Sequence, residues 1–454
     1  MSPTPSSTSA SGLTEILALA ELVSNSVKDV VAEYSAAGFC LPSLSSTACG
    51  PWDSMESIVT RPKLAKAVKT LDAACSQLMF AVGSPGHVIA NKCYGIQEPA
   101  CMLVATDAKI ADHLLDKPEG VHVDELSKLT AIDSGKLARV LRLLCTKHCF
   151  AEIKPNVFVN NRLSMKMVSS DPLSAFVGHM TDEMGRAALS LNETLQDPKM
   201  THSQTPDGSP FTKAYGCKAF DFYASHPAYA MRFNRAMTGL ARVTGNGMLG
   251  KVYPWATLPK NSVVCDVGGG YGHHTIGLLK EFPHLKIVVQ DLPSVVEESR
   301  QSLADNKDLS VALKQRVEHI PLDFFKDSPV KRCDVYYLSH IIHDWPLAEC
   351  KKILDNIRTV AKPSSRLLIH EFVLQYAAAE SGTNVEKAPE PLLPNWGIGC
   401  IRPYNQDINM MSCLNSQERT LAEFIEIGAA SGFEFAKLWD IGEAGVVEFK
   451  LMAT

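Results

Sequence analysis

Two stretches of this chain combine residue types and spacings that could do chemistry. The first is Val263-Val264-Cys265-Asp266-Val267-Gly268-Gly269-Gly270-Tyr271-Gly272. Its apolar, β-branched start predicts a strand, and glycines this dense let another backbone or a ligand approach closely. A second apolar strand, Ile287-Val288-Val289, ends in Gln290-Asp291. Strand, glycine turn, helix and acid-tipped strand make the nucleotide-binding half of a doubly wound fold, with the Asp291 carboxylate placed to accept both hydroxyls of an adenosine ribose. The second stretch is Ser339-His340-Ile341-Ile342-His343-Asp344-Trp345, directly after the apolar strand Asp334–Leu338. A histidine at the carboxyl edge of a parallel sheet stands where ligands of such folds bind, and its ordinary pKa suits proton transfer near neutrality. His343 is therefore a candidate general base; the competing reading is a capping or core histidine beside Trp345, with Asp344 capping the next helix.

The elements that must hold these groups follow in order. Leu322-Asp323-Phe324-Phe325 lies at the end of a third strand, and an acid followed by an aromatic suits an adenine amine and ring face. A helix is expected from Pro346 to Val360, then a fifth strand over Leu367–Leu374 carrying one acid, Glu371, which would be costly if left unpaired. Asp407, Met410 and Met411 precede Gln417-Glu418-Arg419-Thr420, which is expected to open an amphipathic helix through Ala430 that stops at Gly432. On that reading Glu418 could simply be a first-turn acid favoured by the helix dipole.

Upstream, residues 1–12 are Ser/Thr/Pro-rich and expected to be disordered. Helices are predicted over Leu13–Ala36 and from Pro62 to about Phe80, with a loop over Leu41–Asp53 and helical patterning resuming near Pro99. Thr106-Asp107 is expected to cap a helix through His113, and Ser134 a helix over Lys136–Lys147. With a short helix over Val123–Leu129 and a hairpin pairing Phe150–Ile153 with Val157–Val159, this is a winged-helix layout. Residues 13–180 thus form one domain, 181–256 connecting helices and 257–454 a nucleotide-binding domain. Within the last, 376–402 is rich in Ala, Glu, Pro and Gly and is expected to be a solvated surface insertion, with a mobile lid as the alternative.

The glycine spacing Gly268-x-Gly270-x-Gly272 differs from the dinucleotide G-x-G-x-x-G and resembles the first motif of S-adenosylmethionine (SAM)-dependent methyltransferases. With VVQDLP, LDFF, IIHDWP, HEFVL and QERT in that order, the chain from Thr106 onward resembles the metal-independent, caffeate/flavonoid-type O-methyltransferases of plants and fungi. The resemblance implies an α/β, Rossmann-like fold, doubly wound around a mostly parallel seven-stranded sheet, with an all-α, winged-helix N-terminal dimerisation domain. It implies SAM as cofactor, S-adenosylhomocysteine (SAH) as product and no metal. It puts the catalytic base on His343 and its two orienting acids on Glu371 and Glu418. It puts cofactor contacts on Asp266, Gly268, Gly269, Gly270, Asp291, Leu292, Asp323, Phe324 and Ser339. Many relatives carry Lys or Arg at the position of Ser339, so adenine anchoring must lean on other contacts here. Substrate contacts are expected from Phe222, Met237, His340, Trp345, Asp407, Met410 and Met411, with ordinary core packing as the alternative for each. The implied activity is methylation of a phenolic or enolic hydroxyl of a small aromatic, polyketide-like secondary metabolite. A SAM-binding pericyclase or dehydratase of the same fold, and a winged-helix SAM-responsive regulator, are the competing functions.

Composition narrows the rest. The 454 residues, 46% hydrophobic and 20% charged, exceed one hydrophobic core. A net charge of −5 presents no field for a polyanion, and residues 1–180 carry 16 Lys or Arg against 17 Asp or Glu, so a nucleic-acid partner is not expected. The N-terminus lacks a signal-peptide pattern and no apolar run is long enough for a bilayer, so no membrane partner is expected. Thirteen cysteines without C-x-x-C spacing, several inside apolar runs as Cys145 and Cys265 are, read as reduced core residues of a cytoplasmic protein. A third histidine or acid at zinc-site spacing to His340 and His343 is not apparent.

Overall fold

The computed structural model describes residues 12–58, 60–244, 248–307, 309–379, 386–442 and 444–453. The expectation of disorder for residues 1–12 falls outside this range except at Gly12, which opens a helix. The chain divides into two compact units. One comprises Met1–Asp182, Met231–Gly239 and Tyr376–Ile401; the other comprises Glu183–Ala230, Leu240–Gln375 and Arg402–Thr454.

In the first unit the helices Gly12–Ala36 and Pro62–Val82 pack along each other. Leu19 is buried there against Ala73, Ala74 and Leu392. A second core gathers Leu126, Leu137, Leu141 and Leu144 from the helices Val123–Thr130 and Ser134–Thr146. Phe158 closes it from a three-stranded antiparallel sheet, together with Phe150 just ahead of that sheet's second strand. That sheet has the order β1-β3-β2, from β1 (Val121–His122), β2 (Ala151–Lys154) and β3 (Val157–Val159).

Several local expectations are corrected here. Helical structure resumes at Pro85, not near Pro99, because proline's fixed φ suits the first helical position. Thr106-Asp107 ends the helix Gln97–Asp107 rather than starting one, since Lys109 takes a positive φ of 50° that breaks the run. The cap of Ser134–Thr146 is Asp133, whose carboxylate accepts from Lys136 N at 2.9 Å. Of the expected 376–402 insertion, residues 376–379, 386 and 387 are exposed and 380–385 lie outside the described residues, but the later part packs: Leu392 and Trp396 are 6% and 1% exposed, and Lys69 lies 4.2 Å from the Trp396 ring centroid. Two large apolar side chains favour burial strongly enough to hold this part of the segment down. Cys40, Cys49, Cys75 and Cys93 are exposed rather than in a core; all thirteen cysteines are free.

The second unit is built on one sheet. Its strands are β4 (Val263–Val267), β5 (Lys286–Asp291), β6 (Val317–Pro321), β7 (Val335–Ser339), β8 (Arg366–Leu374), β10 (Phe433–Asp440) and β11 (Ala444–Leu451), in the order β10-β11-β8-β7-β4-β5-β6. A two-residue β9 (Arg419–Thr420) pairs with the end of β8. Strands β4 to β8 run parallel, and β11 and β10 add an antiparallel edge. Burial on both faces explains why the parallel strands read as nearly continuous apolar runs. On one face Cys265, Val267, Tyr336, Leu338, Leu367 and Ile369 meet Ile353, Leu354 and Ile357 of the helix Leu347–Val360, together with Phe424 and Ile427 of the helix Leu421–Ala430.

The strand order reverses at β4, which has β5 on one side and β7 on the other. Chains leaving the carboxyl ends of β4 and β7 therefore diverge and leave a crevice between them. The glycine turn follows β4 and the His343 turn follows β7. Both chemistry-bearing stretches thus arrive at the topological switch point.

Candidate active site

Sheet register decides which side chains meet His343. Ser339, the last residue of β7, pairs with His370 of β8, so the turn after β7 runs alongside Glu371. Glu371 Oε1 accepts from the backbone N–H groups of Ile341, Ile342 and His343 at 3.0, 2.9 and 3.4 Å. The fully buried acid is thereby satisfied by the turn that carries the histidine. Its other oxygen, Oε2, lies 3.5 Å from His343 Nδ1 and 3.7 Å from His340 Nδ1, without a hydrogen bond.

Glu418 supplies the direct contact, its Oε1 lying 2.8 Å from His343 Nδ1. It is not a first-turn helix acid. The helix begins at Leu421, capped by Thr420 and Glu423 in a reciprocal capping box, and Glu418 sits in the extended stretch before β9. Asp407, on the helix Ile401–Leu414, accepts the Glu418 N–H at 2.9 Å and so fixes that acid's backbone. Asp344 does not cap the helix after it, which starts behind Pro346 with no side-chain cap. It lies 3.5 Å from His343 Nε2 instead.

Burial alone would push the His343 pKa down, but the Glu371, Glu418 and Asp344 carboxylates together hold it well above the ordinary imidazole value. Burial pushes Glu371 up to about 7 and Asp344 up to about 6, each partly relieved by His343. Burial, reinforced by the neighbouring imidazoles, drives His340 and His370 well below the ordinary value and His274 down to about 4, the opposite direction to His343. His340 takes a positive φ of 52° immediately after β7, in the left-handed region that non-glycine residues avoid.

The glycine turn lies against this centre. A Cβ built on Gly268 (φ +72°) would stand 2.6 Å from Ile341 Cδ1 and 3.3 Å from Phe324 Cε1, so only glycine lets the two turns touch. Asp291 closes the turn with both oxygens: Oδ2 accepts from Gly270 N at 2.8 Å and Oδ1 from Leu292 N at 2.7 Å. Asp266 is buried behind Gly269, accepts from Thr275 Oγ1 at 2.6 Å, and burial pushes it up to about 7.

The remaining sequence-selected residues separate. Phe324 meets Trp345 with ring centroids 6.2 Å apart, beside the turn. Asp323 pairs with Lys326 at 2.7 Å, Leu292 is half-exposed and Ser339 half-buried at the strand tip. Met410 is buried on the Asp407 helix, and Met411 is half-buried next to it. Phe222 belongs to an aromatic cluster with Phe211, Tyr215 and His226, stacking on His226 at 4.2 Å. Met237 belongs to the first unit, whereas His343, Glu371 and Glu418 belong to the second. Arg419 was missed: a base in a short polar stretch gives no sign that it is buried.

Residues 193–434 match the O-methyltransferase domain family. Over 452 residues the chain is 46% identical to 3-O-methyltransferase 2 of Phanerochaete chrysosporium, covering 99% of this chain and 100% of that protein. The chain belongs to the O-methyltransferase domain family. This methyltransferase is also 30% identical to O-methyltransferase gedA of Aspergillus terreus, across 95% of each chain. Its fold matches the crystal structure of OxaC in complex with SAH and oxaline, at a TM-score of 0.69 and 22% identity, covering 95% of this chain and all of that one. It is a SAM-dependent O-methyltransferase. The residues fit that cofactor. A Cβ on Gly270 would meet nothing within 4 Å, which leaves open space over the turn; the Asp291 carboxylate borders it, and the Phe324 ring stands beside Gly268. Among the described residues no helix is long and apolar enough to cross a membrane.

Proposed function

We propose that His343 is the general base that takes the proton of a phenolic or enolic hydroxyl on a small aromatic, polyketide-like acceptor. The observation that carries this is the 2.8 Å contact between His343 Nδ1 and Glu418 in a buried ring. With Nδ1 committed to a carboxylate, the ring keeps its proton there and presents Nε2 as the accepting nitrogen. A phenol titrates near 10, far above an ordinary imidazole; a pKa raised by the surrounding carboxylates narrows that gap and makes the transfer less uphill. Bound SAM supplies a methyl group carried on a sulfonium.

The protein's own part is then to orient and to move one proton. The hydroxyl gives its proton to Nε2, its oxygen forms the new bond to the methyl carbon, and the sulfur keeps the electron pair of the broken bond. Glu418 and Glu371 stabilise the imidazolium that forms. Asp291 holds the ribose hydroxyls, with Gly268, Gly269 and Asp266 beneath the rest of the cofactor and Asp323, Phe324, Leu292 and Ser339 around the adenine. His340, Trp345, Asp407, Met410, Met411 and Phe222 bound the acceptor. His340, His343 and Glu371 bring one ligand atom each within 4.8 Å of one another, but this reading uses those atoms for hydrogen bonds and charge and needs no ion.

The domain layout supports further parts of the reading. Residues 13–180 serve as a winged-helix dimerisation module, supported by exposed apolar side chains such as Met79, Val82, Ile89 and Tyr94. Thirteen free cysteines favour a cytoplasmic setting. The test is His343→Ala, assayed by SAH formation against a panel of phenols with SAM affinity measured alongside. We expect SAM binding to persist and turnover to fall ~10²-fold or more. Full turnover in that variant would remove the proposed base.

A further inference from the structure

Arg419 is 2% exposed, yet among the described residues it forms no ion pair. It donates instead from Nη1 to the carbonyl of Ile342 and from Nη2 to the carbonyl of Trp345, each at 2.7 Å. A weaker contact at 3.4 Å reaches the Gln417 carbonyl. Burying a guanidinium without a carboxylate is costly, so these two carbonyls must hold it firmly. They bracket His343 in sequence, one on each side.

The same turn is gripped from its other pole. Its N–H groups at 341, 342 and 343 converge on Glu371 Oε1, while its carbonyls at 342 and 345 converge on Arg419. An anion on the donors and a cation on the acceptors leave the backbone at His343 little freedom. The grip is tied to the sheet, because β9 pairs with β8 and sets Arg419 opposite Val373, two residues beyond Glu371. The residue before it, Glu418, holds the imidazole itself. Consecutive side chains thus fix the ring and the backbone that carries it.

We propose that Arg419 is a positioning residue for methyl transfer, acting by clamping the turn that presents His343. The inference rests on the reading of His343 as base. A planar fork can reach two carbonyls at once, which a single ammonium cannot do with the same geometry. Released from the clamp, the ring would sample positions displaced from the acceptor oxygen.

The test uses Arg419→Ala and Arg419→Lys, each in the parent enzyme and in the His343→Ala background. Turnover, KM for the phenol and SAM affinity by calorimetry are measured for all. Arg419→Ala should lower kcat ~10²-fold, the scale of a misplaced catalytic group, while KM and SAM affinity move less than about threefold. Arg419→Lys should lose ~10-fold, and millimolar guanidinium should restore part of the Arg419→Ala rate. In the His343→Ala background either change should cost less than about twofold, because nothing remains to be positioned. If Arg419→Ala does not fold, the lysine variant carries the same comparison. Unchanged kcat, a loss confined to KM, or an equal loss in both backgrounds would overturn the proposal while leaving the base intact. Full turnover of His343→Ala alone would instead overturn the base.

Discussion

Replacing Glu418 by glutamine keeps the shape of the side chain and removes the charge that lies 2.8 Å from His343 Nδ1. A hydrogen bond to a charged group contributes about 1.5–3 kcal/mol, against about 0.5–1.5 for a neutral one, a difference of roughly 1–1.5 kcal/mol. At about 1.36 kcal/mol per pKa unit, the imidazolium should become easier to deprotonate by about one unit. The direction is fixed by the structure: the carboxylates hold the His343 pKa up, so losing one lets it fall. In the parent enzyme the base is protonated below its pKa, and kcat/KM should rise with pH along a limb lying above the ordinary imidazole value of about 6.5. In Glu418→Gln that limb should move to lower pH. The same lost interaction stabilises the imidazolium formed in the transition state, so kcat on the plateau should fall by roughly 5- to 10-fold. Initial rates of SAH formation across pH 5 to 9.5, at saturating SAM, read both effects. A limb that stays in place, or one that moves to higher pH, would refute the assignment of Glu418 as the partner of the base.

Asp291→Ala should weaken SAM binding by about 5- to 150-fold, the equivalent of one or two lost hydrogen bonds at roughly 1–3 kcal/mol together; calorimetry with SAM or SAH checks this. Gly268→Ala should destabilise the protein and depress turnover together, because its Cβ would stand 2.6 Å from Ile341 at a positive φ; melting temperature and kcat measured side by side would show both. Trp396→Ala should cost about 3–5 kcal/mol of stability in the first unit, by removal of a buried ring, read from denaturant unfolding. A loss near zero would mean that the segment around it contributes no packing.

The alternation of apolar residues made the parallel strands legible, and the motifs in order made the family legible. Glycine at 268 and acid at 291 carry their own physical reasons, a close approach of two turns and a strand-tip carboxylate that accepts from Gly270 and Leu292. Glu418 was visible only through resemblance, since by pattern it resembled a helix-dipole acid; the capping box at Thr420 and Glu423 starts the helix later. Arg419 was invisible because nothing local distinguishes a buried guanidinium from a solvated one. The packing around Leu392 and Trp396 is not legible because the apolar residues there, Leu392, Leu393, Trp396 and Ile398, are broken up by Pro and Gly and show no periodicity. The helix start at Pro85 was missed for a different reason, proline being read as a breaker rather than as a first helical residue. In each miss a long-range contact or a single dihedral angle outweighed the local pattern.

The segment that carries Leu392 and Trp396 leaves one unit, completes the other and returns, and this bears on how the chain is made. Of the residues that cover Leu19, Ala73 and Ala74 follow early, but Leu392 emerges from the ribosome 373 positions later (392 − 19), about 20–75 s at ordinary elongation rates. Throughout that interval Leu19 has only its Ala73 and Ala74 contacts, so the small core of the first unit is finished only when nearly the whole chain has been made.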